Sequence, residues 1–254
     1  MTKILEKTYN AAHVWVHNNK EKKKSKIDCM FFPCNNSSMM VDAPPTYEEC
    51  ENNQIKLSKE TRSRPTFILC SSNAMFWQQM VLASHAVYLN FFLKRGINVF
   101  TWNYRGYGRS KGHESPGSFA QDIDSVVNYL RKELKLTGKL GVYGRSLGGI
   151  PTSAMTANCD MVIVDRSFSN LHEMAVWKYF GQAASMMFKI GSCGWQVQSD
   201  FNFLKDYKGL YEVSTEENNE NSNFCYKVIT VDKNDEIVHV QASLMMGAAI
   251  EISL

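Results

Sequence analysis

The chain has 254 residues, enough for one large α/β domain with a full core. Its 44% hydrophobic and 21% charged residues are an ordinary globular mixture. A formal charge of +3 is too small to indicate nucleic acid as a partner. No stretch approaches the ~18 uninterrupted apolar residues of a membrane span.

Seven cysteines (Cys29, Cys34, Cys50, Cys70, Cys159, Cys193 and Cys225) are scattered without CxxC spacing. The opening MTKILEKTYN lacks the apolar core of a signal sequence, and Thr2 stands where myristoylation needs glycine. Together these features predict reduced thiols and a cytoplasmic location. The basic run Lys20, Lys22, Lys23, Lys24 and Lys26 reads as a solvated hairpin tip ahead of a phospholipid contact.

In chain order, residues 1–34 form an opening hairpin. AAHVWVHN alternates, with Val14 and Val16 on one side and His13, Trp15 and His17 on the other, and IDCMFFPC follows the lysines. Residues 35–65 are polar, carry Pro44, Pro45 and Pro65, and predict a surface loop or insert. From 66 to 166 strands and helices alternate: TFILCS, a helix over 80–94, INVFTW, an amphipathic helix over 118–135, KLGVYG, a helix over 147–157, and DMVIVD. Residues 167–224 predict a lid, CYKVITVD a further strand, and 238–250 a helix. Short apolar strands separated by helices predict an α/β fold, a mostly parallel sheet covered on both faces. Its ligand edge lies at the C-terminal strand ends.

Gly144-Arg145-Ser146-Leu147-Gly148 fits G-x-S-x-G directly after a strand and directly before a helix. The turn is tight, so residues two away from the serine must be small, and Gly144, Gly148 and Gly149 meet that need. Ser146 is the expected nucleophile, lifted above the sheet, and the Leu147 N–H one oxyanion donor.

Around this motif the chain resembles the α/β-hydrolase-domain serine hydrolases, the branch containing acyl-protein depalmitoylases and lysophospholipases. Ile27-Asp28-Cys29-Met30-Phe31 resembles that family's second strand, Asn73-Ala74 the end of its HGNA turn, and Asn103 to Ser110 its YxGYGxSxG signature. Asp122-Ile123-Asp124 is similar to the start of its next helix, and Asp235-Glu236-Ile237-Val238 to its acid-bearing turn. The resemblance covers about residues 27–250, with an insert after Cys34. It implies an α/β-hydrolase fold with a lid insertion, Asp235 as triad acid, and two-step acyl transfer without metal or cofactor. Relatives carry His-Gly where this chain has Ser71-Ser72; a backbone donor does not depend on side chain, so Ser72 or Asn73 would complete the oxyanion hole. Asp165, which also ends a strand, is the reserve acid, although anchoring Arg166 or the following loop is its expected role.

The family's histidine follows the acid after one more strand, and Leu254 comes first, so turnover by the chain as given is expected to be impaired. His239, four residues past Asp235, and His113, on the loop after INVFTW, are the remaining base candidates. His85 falls in an apolar helix, His13 and His17 in the hairpin and His172 in the lid. The family's last strand and helix are missing, which would leave CYKVITVD as a bare edge. Three explanations follow in order of preference: an incomplete gene product, a partner completing the edge, or a non-catalytic relative. The apolar lid segment MAVWKYFGQAASMMFKIGSCGW would pack on the core, bind an acyl chain or make a peripheral membrane contact. The expected substrate is a small-molecule or acylated-protein ester or thioester, cleaved by a thioesterase-like or lipase-like activity. The competing class is a binding module that keeps the fold without turnover.

Overall fold

A computed structural model describes residues 9–18, 25–34, 47–50, 54–80, 86–155, 158–170, 174, 199–204, 225–232, 234, 238 and 243–245. Strands β1 (Ala12–Asn18) and β2 (Ser25–Phe32) form the opening hairpin, with Trp15 opposite Asp28. The alternation is as expected: Val14 and Val16 are buried, while His13 and Trp15 are half-buried and His17 is exposed.

The stretch expected as a surface loop or insert, 35–65, contains regular structure at its described residues. Strands β3 (Tyr47–Cys50) and β4 (Gln54–Leu57) pair as a second hairpin, and helix α1 (Lys59–Ser63) follows. Ile55 and Leu57, two apart on a strand, turn to one face and join the main core. The Ser58 hydroxyl caps α1 by accepting the Thr61 N–H at 3.1 Å. The Arg62 carbonyl then accepts the Thr137 N–H at 2.9 Å, tying α1 to the central sheet.

The remaining strands are β5 (Thr66–Cys70), β6 (Asn98–Trp102), β7 (Leu140–Arg145), β8 (Met161–Asp165) and β9 (Tyr226–Thr230). The seven-stranded sheet runs β1-β2-β6-β5-β7-β8-β9. From β6 to β9 neighbours are parallel, while β1–β2 and β2–β6 are antiparallel. The chain leaves β5 toward β6 on one side and returns to β7 on the other. The C-terminal ends of β5 and β7 therefore flank the switch point where open α/β sheets bind ligands.

Both faces are covered. Helices α2 (Trp77–Met80) and α3 (Ala86–Leu93) place Trp77, Leu89 and Phe92 against Phe67, Leu69 and Val99. On the other face α4 (Pro116–Asn128) sets Phe119, Ile123, Val126 and Val127 against Ile68, Phe100 and Val142. It starts two residues before the expected position because Ser115 and Ser118 form a reciprocal capping box with Pro116 just inside it. The helix expected over 147–157 is shorter: a 3₁₀ turn at Ser146–Gly148, then α5 (Gly149–Ser153). The helix expected over 80–94 is seen as α2 and α3, with 81–85 outside the described residues.

The last described helix is α6 (Ser199–Leu204). Of the expected lid, Ser167–Asn170, Met174 and α6 are described. In the helix expected over 238–250, Ser243 instead makes an antiparallel bridge to Phe168, and the Leu244 N–H donates to the Ser167 carbonyl at 2.8 Å. Ser243 is therefore outside a helix, Leu244 and Met245 are helical, and 239–242 and 246–250 lie outside the described residues. Strand β9 is the outermost strand on its side among the described residues, with Tyr226 64% and Val228 36% exposed. No described helix is long and apolar enough to cross a membrane.

Candidate active site

The site begins where β7 ends. Ser146 follows Arg145 with φ 53°, in the left-handed region that a side chain adopts at a cost of about 1–3 kcal/mol. Three glycines permit the bend. A Cβ on Gly144 would lie 2.1 Å from the Gly148 carbonyl oxygen, and one on Gly148 would lie 2.4 Å from that of Cys70. One on Gly149 would meet the Ser167 hydroxyl at 2.0 Å. That hydroxyl donates to the Ser146 carbonyl at 2.7 Å, bracing the turn from the loop after β8.

The β5 end stands beside it, since Cys70 is in register with Gly144. The Ser72 hydroxyl donates to the Arg145 carbonyl at 3.3 Å. Asn73 Oδ1 accepts the Ala74 N–H and the Tyr107 hydroxyl, each at 2.9 Å, and the Tyr104 hydroxyl donates to the Ser71 carbonyl at 2.6 Å. Ser72 thus touches the strand that leads into Ser146, and Leu147 is the second residue of the 3₁₀ turn Ser146–Gly148, where the first N–H groups have no partner within the turn. Ser71, Ser72, Met75, Tyr88, Tyr143 and Arg145, with Cys70, line a cavity of about 30 Å³. That is a water-sized space, far below the several hundred Å³ of a ligand pocket. Burial pushes the Cys70 thiol up to about 12, so it stays protonated and unreactive.

Asp165 is committed elsewhere. Its carboxylate accepts the Tyr143 hydroxyl at 2.7 Å, the Thr230 hydroxyl at 2.7 Å and Arg166 Nε at 3.2 Å. Burial pushes its pKa up, but those bonds and the Arg166 charge outweigh burial and hold it below the ordinary 3.8. A carboxylate lowered in the fold stabilises fully above its unfolded value, and that stability is lost as pH falls through the folded value. Asp165→Asn is therefore expected to lower the urea midpoint at neutral pH, with the difference from wild type shrinking as pH drops below 3.8. An equal difference at all pH values would contradict the assignment.

Asp235, His239, His85 and His172 lie outside the described residues. His113 is exposed on the loop after β6, and no hydrogen bond joins it to Ser146 among the described residues. One cluster escaped the sequence reading. The fully buried Asp28 lies 2.6 Å from His13 Nε2 and also accepts from Arg109, Gln78 and Asn103. Its signal was a charged residue in the middle of the apolar strand IDCMFF.

A doubly covered, mostly parallel sheet with a strained serine turn at its switch point is the α/β-hydrolase fold. The P. furiosus esterase Pf2001 superposes on 98% of this chain and 81% of its own with a TM-score of 0.61 at 14% identity, which shows the fold. In sequence the chain is 27% identical over 159 residues to the protein bem46 of Schizosaccharomyces pombe, 61% of this chain and 52% of that one. It is 32% identical over 87 residues to the α/β hydrolase domain-containing protein WAV2 of Arabidopsis thaliana, 32% of this chain and 28% of that one. The chain thus spans about half or less of the length of these curated relatives. No protein-family model matches it.

Proposed function

We propose that this chain is a serine hydrolase domain that cleaves an ester or thioester through an acyl-enzyme on Ser146. The observation that carries the reading is the left-handed Ser146 backbone in a glycine-walled turn at the sheet's switch point. Ser146 Oγ attacks the acyl carbonyl, the Leu147 N–H and that of Ser72 or Asn73 stabilise the oxyanion, and the alcohol or thiol leaves. Water then releases the acid and restores the serine. Asp235 is the acid that orients an imidazole for the Ser146 proton. The described histidines His13, His17 and His113 are not assigned that task. Substrates are small acyl esters or acylated proteins, with the lid segment meeting the acyl chain or a membrane surface, and a partner completing the β9 edge. The free thiols Cys29, Cys34, Cys70, Cys159 and Cys225 support a reducing, cytoplasmic setting.

The test is release of p-nitrophenol from butyrate and palmitate esters, and of thiol from a palmitoyl thioester, by wild type and Ser146→Ala. Hydrolysis that falls to background in the variant supports the reading. Equal hydrolysis by both would end it, and folded protein that turns over none of the three would favour a binding module.

A further inference from the structure

We propose that Asp28 is a positioning residue for the oxyanion side of the site, an inference that rests on the Ser146 reading. Asp28 sits on β2, two strands from β5, with no exposed surface. A buried carboxylate is costly unless donors converge on it, and here four residues do so from three separate elements, β1, α2 and the loop after β6. Oδ1 lies 2.6 Å from His13 Nε2 on β1 and accepts Arg109 Nη2 at 3.1 Å. Oδ2 accepts Asn103 Nδ2 at 3.0 Å, Gln78 Nε2 on α2 at 3.1 Å and Arg109 Nε at 3.2 Å. The backbone joins in: the Asp28 N–H donates to Ser110 Oγ at 2.9 Å, and its carbonyl accepts the Asn103 N–H at 2.9 Å. These donors outweigh burial and keep the carboxyl ionised below its ordinary range.

The consequence reaches the site through residues 71–77. Asn103 Oδ1 accepts the Trp77 N–H at 2.8 Å and fixes the far end of that segment. Tyr104 holds Ser71 and Tyr107 holds Asn73, from the same loop. Every one of these anchors belongs to residues 103–110, and that loop is tied to Asp28 at Asn103, Arg109 and Ser110. Asp28 therefore sets where the Ser72 and Asn73 amides stand relative to Ser146. The Arg105–Asp122 pair from the same loop ties it to α4.

The experiment compares wild type, Asp28→Asn, Gln78→Leu and the control Asp160→Asn, whose carboxylate caps the opposite end of β7 through the Leu140 N–H. Each is read by two measurements: the saturating rate and half-saturating concentration of fluorophosphonate labelling at Ser146, and hydrogen–deuterium exchange of 71–77. Displacing donors by about 1 Å costs up to ~100-fold in rate. The expected result for Asp28→Asn is a rate at least ~10-fold lower, an unchanged half-saturating concentration and faster exchange in 71–77. Gln78→Leu shifts both readouts the same way by less, and carries the test if Asp28→Asn does not fold. Asp160→Asn leaves both at wild-type values. Wild-type rate or exchange in folded Asp28→Asn, or in Gln78→Leu if that alone folds, overturns the proposal. If wild type takes no label, the hydrolase reading fails by itself, and exchange alone decides whether Asp28 holds the segment.

Discussion

Gly148→Ala is expected to reduce Ser146 labelling by about 100-fold, the loss that a displacement of about 1 Å in an oriented site produces. The added methyl would lie 2.4 Å from the Cys70 carbonyl oxygen and 3.0 Å from that of Ser71. Both are backbone atoms of the β5 end and cannot rotate away, so the elbow and the 71–77 segment must separate. Those are the two sides from which the oxyanion donors are proposed to come. Overpacking of this kind also costs about 1–3 kcal/mol of stability. The check is labelling kinetics on protein shown by circular dichroism to be folded. Wild-type labelling in the variant would mean that the elbow does not need this clearance.

The second large effect concerns stability. Arg105 and Asp122 form a buried pair, with Arg105 Nη2 2.7 Å and Nε 2.9–3.1 Å from the carboxylate. Their side chains are 7% and 0% exposed. Asp122→Ala strands a guanidinium in the interior, and removing one partner of such a pair costs about 3–5 kcal/mol. The double replacement Arg105→Met with Asp122→Leu is expected to recover much of that loss, because no buried charge is left alone. Urea midpoints of the three proteins decide the matter. A double variant no more stable than Asp122→Ala would show that the pair does more than neutralise itself.

The reach of the sequence can be judged from particular residues. Strands β5 to β8 were legible because each is a short apolar run buried in a parallel sheet. The elbow was legible because its chemistry is local: Ser146 and its glycines lie within six residues. The β3–β4 hairpin was not, because the apolar pair Ile55 and Leu57 that joins the core stands in an otherwise polar stretch. At Ser243 local helix propensity yielded to pairing with Phe168, 75 residues away in sequence. The Asp28 cluster is the extreme case. Its partners His13, Gln78, Asn103 and Arg109 lie 15, 50, 75 and 81 residues from it, so no local pattern contains them. What the sequence did offer was the oddity of a carboxylate within an apolar strand. Buried charge is rarely idle.

Beyond local pattern, the sheet order explains why distant residues converge. Asn103 follows β6, Ser71 follows β5 and Ser146 follows β7, and these are neighbouring parallel strands. Residues spread over more than seventy positions are thus brought to one edge, which is why the loop at 103–110 can grip the loop at 71–77.

The most direct measurement is covalent: incubate the folded protein with a fluorophosphonate, digest it, and locate the adduct by mass spectrometry. The account predicts one modified peptide carrying the phosphonyl group on Ser146, with no adduct in Ser146→Ala. An adduct on another serine, or unchanged labelling of the alanine variant, would contradict it.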